Sequence, residues 1–86
     1  MEINEALREQ VLQVVENQLR DNNPPETRET YNRLLQSGIS DADARIYLAQ
    51  CVTVEIFHVM KYQEPFNEKR FIKNLKNLPK EPFGDE

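Results

Sequence analysis

The sequence predicts a small all-α bundle of about four helices with the third helix central. Apolar residues recur at three- and four-residue steps along most of the chain, as amphipathic helices require. The intervals between these stretches carry helix-stopping and helix-starting residues: Asp21-Asn22-Asn23-Pro24-Pro25, Gly38-Ile39-Ser40 and Glu64-Pro65-Phe66-Asn67. With 86 residues, 38% of them apolar, there is material for one thin core. The expected organisation is a single domain over 1–79 and a short polar tail over 80–86.

The first helix is expected over 2–21. Ile3, Leu7, Val11, Val14, Val15 and Leu19 form its apolar side, and Glu2, Glu5 and Glu9 suit the positive end of its dipole. The second is expected over 25–37. Pro25 sits in its first turn, Tyr31, Leu34 and Leu35 supply its stripe, and Gly38 can take the left-handed stop.

Ser40 is placed to cap a third helix over 41–63, with Asp43 reaching back in a variant capping box. Leu48, Val52, Ile56 and Val59 form the face expected to be buried, widened by Ile46, Ala49, Phe57 and Met60. A strand over Val52–Phe57 competes, because these residues are good β-formers, but no partner strand is evident. The fourth helix is expected over 67–78. Asn67 is its N-cap, Phe66 and Phe71 are placed as a hydrophobic staple, and Pro79 follows as a stop. Phe83 is the only anchor in the tail.

Composition excludes several classes of function. No apolar run approaches the roughly 20 residues a membrane span needs. A single cysteine, Cys51, excludes a disulfide scaffold. Two glycines, Gly38 and Gly84, leave no phosphate-binding loop, and one histidine leaves no zinc-ligand set. The opening Met1-Glu2-Ile3 lacks the pattern of a signal peptide, so a cytoplasmic protein is expected.

The third helix carries the residues with the most chemistry. Tyr47, Cys51, Glu55, His58 and Tyr62 fall within about 80° of arc. Glu55 and His58 form a Glu-x-x-His pair, the spacing used in di-metal bundles. One pair is half of such a site, so a metal reading requires a homodimer to supply the other half. The bland alternative is Glu55 and His58 hydrogen-bonded to each other at the rim of the core. Cys51 lies two helical turns from His58, about 10.5 Å along the axis, which is too far for direct activation of a thiol.

A second feature is the charge of the fourth helix. Residues 67–80 hold five bases and one acid, whereas residues 1–66 hold six bases and eleven acids. Lys69, Lys73, Lys76 and Lys80 share one face and could meet an anionic partner. Lysines on the wet face of a surface helix are also ordinary, and the net charge of −4 disfavours nucleic acid.

Asn23-Pro24-Pro25-Glu26, Leu34 to Gly38, Ser40 to Ala44, Pro65-Phe66-Asn67 and Leu75 to Pro79 together resemble a small helical domain of uncharacterised bacterial proteins. The resemblance covers about residues 23 to 79. It implies a bacterial source and a helical fold, and no reaction. Members with this pattern often carry a histidine early in the long helix. Here Arg45 and Ile46 occupy that stretch and His58 comes later, so no ligand set carries over.

The function expected from the sequence is a non-enzymatic protein–protein interaction module, with no cofactor and no membrane. The contact surface is expected at Tyr47, Cys51, Val54 and Tyr62, with a homodimer favoured over a monomer. The alternatives are a metal-binding bundle using Glu55 and His58 across a homodimer, and a nucleic-acid accessory protein using the fourth helix.

Overall fold

The structure is a computed structural model that describes residues 5–82. Its elements are α1 (Glu5–Asp21), α2 (Pro25–Gln36), α3 (Asp41–Tyr62) and α4 (Glu68–Asn77). The start expected for α1 at residue 2, with Ile3, and the anchor Phe83 lie outside the described residues. Val52–Phe57, the stretch that could have been a strand, is helical.

Each helix ends where local chemistry ends it. Gly38 takes φ +96°, and Ile39 N–H donates to the Leu34 carbonyl at 3.1 Å, closing α2 in a Schellman-type turn. Half-buried Ile39 then packs on the core. The Ser40 hydroxyl accepts from Asp43 N–H at 3.1 Å, and the Asn67 amide oxygen accepts from Arg70 N–H at 3.0 Å. The Phe66 and Phe71 rings lie 5.3 Å apart and form the staple before α4. The end of α3 differs from expectation in one respect. The left-handed residue is Gln63, at φ 54°, ahead of the Glu64-Pro65 break. Asn23–Pro24 and Leu78–Pro79 are cis peptide bonds.

Helix α3 touches each of the other three, and α2 also touches α1 and α4. The core consists of Val11, Val15 and Leu19 from α1, Leu34 from α2, Ala44, Leu48, Cys51 and Val52 from α3, and Phe71, Leu75 and Leu78 from α4 and its end. Burying these side chains is the main stabilising contribution, at roughly 1.5–3 kcal/mol for each large one.

Two arginines of α2 act as remote caps. Arg28 donates to the Leu19 carbonyl near the end of α1 at 2.6 Å. Arg33 donates to the Leu78 and Leu75 carbonyls at the end of α4, at 2.7 and 3.0 Å. Helix ends leave such carbonyls short of partners, and at Leu75 Arg33 adds a second donor beside Leu78 N–H at 3.2 Å.

The side of α3 that the bundle covers differs from the expected one. Leu48 and Val52 are buried, but Ile56 is only half-buried, and Val59, Ile46, Phe57 and Met60 are exposed. Buried in their place are Ala44, Cys51, Thr53 and Glu55. At about 1.5 Å per residue α3 is about 33 Å long. The molecule measures 35 × 25 × 23 Å, so α3 runs nearly its full length. Over its last turn and a half Phe57, Val59, Met60, Lys61 and Tyr62 are exposed and His58 is half-buried.

Candidate functional site

The five polar and thiol-bearing residues aligned along α3 separate into two environments. Tyr47 and Val54 are half-buried, with Tyr47 packed against the core, and Cys51 is wholly buried. Of the expected contact residues only Tyr62 lies open, at 52% exposure. Cys51 therefore presents no surface to a partner. Burial, and secondly the nearby Glu55 charge, push its thiol up to about 12. A thiol held protonated is a packing group and not a nucleophile.

Glu55 and His58 do not bond to each other. The Glu55 side chain has no exposed surface, and both of its oxygens are occupied. Oε2 accepts from Arg70 Nε at 2.6 Å, and Oε1 accepts from Arg70 Nη2 at 2.9 Å and from Asn67 N–H at 2.9 Å. This fork-to-fork pair joins α3 to the first turn of α4. The hydrogen bond to Glu55, as the largest cause, raises the Arg70 guanidinium further above its ordinary value. Arg70 thus leaves the lysine side of α4 and serves the fold.

His58 faces the other way. Its Nδ1 is buried and lies 3.9 Å from Glu64 Oε1, beyond hydrogen-bond reach, and its ring lies 5.2 Å from the Tyr62 ring. The Glu-x-x-His pair is therefore divided between an ion pair and the α3–α4 connection. Among the described residues no group of three His, Cys, Asp or Glu side chains could hold a metal ion.

Three of the four lysines expected to share one face belong to α4. Lys69, Lys73 and Lys76 are exposed, on the side opposite Phe71 and Leu75, whereas Lys80 is exposed but lies beyond the end of the helix and so leaves the expected stripe. No helix among the described residues is long and apolar enough to cross a membrane.

A further surface emerges at the end of α3. Met60 is 68% exposed and Phe66 45%, and Phe57 and Val59 also lie open beside Tyr62. The Lys61 ammonium lies over both the Phe57 and the Tyr62 rings, 5.3 Å from each centroid. The connection that follows, Glu64 to Arg70, lines an open hollow. A surface helix hides one stripe, whereas this one leaves large apolar side chains bare on several sides of its last turns.

The opposite end of α3 is closed by polar contacts. The Tyr31 hydroxyl donates to Asp41, Arg45 donates to Asp41 at 3.0 Å and to Glu16, and the Arg45 guanidinium lies over the Tyr31 ring. The bond from Tyr31, then that from Arg45, holds the Asp41 carboxyl below its usual range. The sequence analysis missed this cluster and the Glu55–Arg70 pair. Neither partnership leaves a local sign in the sequence, because Arg45 meets Glu16 across 29 positions and Arg70 meets Glu55 across 15. No known protein family, curated protein or solved structure matches this chain.

Proposed function

We propose that this protein is a non-enzymatic interaction module whose contact surface is the end of α3 and its connection to α4. The exposure of Phe57, Met60, Tyr62 and Phe66 around Lys61 supports this reading. Large apolar side chains gathered at one end of a small domain are characteristic of a contact surface. Aromatic residues and methionine are also enriched at such surfaces. Of the earlier candidates Cys51 is in the core, Tyr47 packs against it and Val54 is half-buried, and Tyr62 remains exposed.

A photo-crosslinking side chain placed at Met60, and separately at Glu29 on exposed α2, tests the proposal in the source cell. Adducts of defined mass at position 60, absent at 29, are the expected result. Equal labelling at both positions, or none at 60, removes the end of α3 as the contact surface.

A further inference from the structure

We infer that the outward side of α3 pairs with the same side of a second copy of this chain, antiparallel about a two-fold axis at Thr53. The inference rests on the interaction-module reading above and extends its surface from Met60 back along α3 to Ile46. At about 100° per residue, Ile46, Thr53, Phe57 and Met60 fall within about 60° of arc. That arc is roughly opposite the buried Ala44, Leu48, Cys51, Val52 and Glu55. Ile46 is 43% exposed, Phe57 38% and Met60 68%. Thr53 lies between them at 5% exposure, and its hydroxyl donates to the Ala49 carbonyl at 2.8 Å. Its polar group is therefore satisfied without water. Val59 and Tyr62 are exposed but lie outside this arc.

Both the apolar residues and the charges of this side are complementary to a copy. Ile46, Thr53 and Met60 recur every seven residues, the spacing that keeps side chains on one seam between paired helices. Ile46 and Met60 are equally far from Thr53. An antiparallel copy centred there sets Ile46 of each chain against Met60 of the other. Exposed Asp43 and Lys61 are 18 positions apart, about five turns and 27 Å, so they share one edge of this side. Their midpoint is residue 52, one position from the axis. Antiparallel pairing brings Asp43 of each copy beside Lys61 of the other, twice by symmetry. Parallel pairing would set acid against acid and base against base. Glu81, which accepts from Gln50 at 3.4 Å, is a further charge at this edge. In the antiparallel pair it stands across from Ile56 of the copy and not across from another carboxylate. Asp43, Glu81 and Lys61 give this side two acids and one base, which disfavours nucleic acid and anionic lipid.

The test is the mass of the full chain in sedimentation equilibrium from about 5 to 500 μM, at about 50 mM salt to keep the charges effective. The expected result is a mass that rises from 10.2 kDa toward twice that value. Met60→Glu is expected to remove the dimer, with helicity unchanged. Asp43→Lys and Lys61→Glu are each expected to weaken association at least about fivefold, by turning two attractive pairs into repulsive ones. Mixed in equal amounts, these two variants are expected to associate within about twofold of wild type, because each chain then meets its opposite. Lys61→Glu, far from the N-cap of α3, carries the comparison if Asp43→Lys loses helicity. A wild-type chain that stays at 10.2 kDa throughout overturns the inference. So does a dimer that Met60→Glu leaves intact, or a mixture no tighter than its parts. If removal of residues 83–86 is what first allows a dimer, this chain's own terminus occupies the side and the inference falls. Crosslinking from Met60 separates this inference from the reading it rests on. Adducts of twice the chain mass support the copy. Adducts to another protein from a monomeric chain sink the copy alone. No adducts and no dimer remove both.

Discussion

The two ends of α3 have similar apolar content and opposite fates. At its start, Asp41 and Arg45 are tied to Tyr31 of α2 and Glu16 of α1, and Ala44 and Leu48 are buried between those helices. At its other end Phe57, Val59, Met60 and Tyr62 lie open, and the nearest tie to the bundle is the buried Glu55–Arg70 pair. The contrast is one of cover: Ala44, Leu48, Cys51, Val52 and Glu55 are buried, whereas Phe57, Val59, Met60 and Tyr62 are exposed. Where cover is present, apolar side chains stabilise the fold. Where it is missing, the same residue types remain exposed.

Removing the tie that separates the two ends should have the largest effect. Arg70→Ala would leave the Glu55 carboxylate buried without its guanidinium, at a cost of about 3–5 kcal/mol. Urea denaturation checks this, and a loss below about 1 kcal/mol would mean that water already serves Glu55. On a domain whose total stability is of order 5–15 kcal/mol, the loss could abolish folding. Leu48→Ala, in the covered part, should follow at about 2–5 kcal/mol through the cavity it leaves.

Cys51 sharpens the comparison through pH. Its thiol titrates near pH 8.5 when unfolded and at about 12 when folded. At neutral pH both states hold the proton and there is no effect. Above about pH 8.5 the unfolded chain loses its proton first, so stability should fall by up to about 1.4 kcal/mol per pH unit until the folded value is reached. The difference between wild type and Cys51→Ala isolates this slope in alkaline unfolding curves, and parallel curves would refute the burial assigned to the thiol.

Ile56 marks the boundary between the two ends. The sequence pattern places it at the centre of the buried face, but it is half-buried, so Ile56→Ala should cost only about 1–2 kcal/mol in thermal melts. A larger loss would extend the covered part of α3 by a turn. Met60→Ser should change stability least, by no more than about 0.5 kcal/mol, because no neighbour in the chain depends on that side chain. A cost comparable to that of Leu48→Ala would show that the end of α3 is core and not surface.

Much of the fold was legible because helix starts and stops depend on local chemistry. Ser40, Gly38 and Asn67 act on backbone groups within a few residues, and each does what its identity allows. Helix α4 was also legible, because its apolar and charged residues occupy opposite sides and only one orientation is acceptable. The candidate site was less so. Apolar residues run nearly round α3, so no side of it declares itself inward, and the pattern Leu48-Val52-Ile56-Val59 was one acceptable stripe among several. Glu55 reads as a rim residue because a buried carboxylate needs a cation that only the return of α4 supplies, fifteen positions later.

By itself, then, the sequence determined an all-α chain, its four helices and the stops and caps at Gly38, Ser40 and Asn67. Those features depend on neighbours within a turn or two. Only the tertiary structure decided which side of α3 is covered, that Cys51 and Glu55 are interior, that Glu55 and His58 part company, and that Met60 and Phe66 remain open. Each of these depends on which sides of α3 the other helices pack against, which local pattern does not encode.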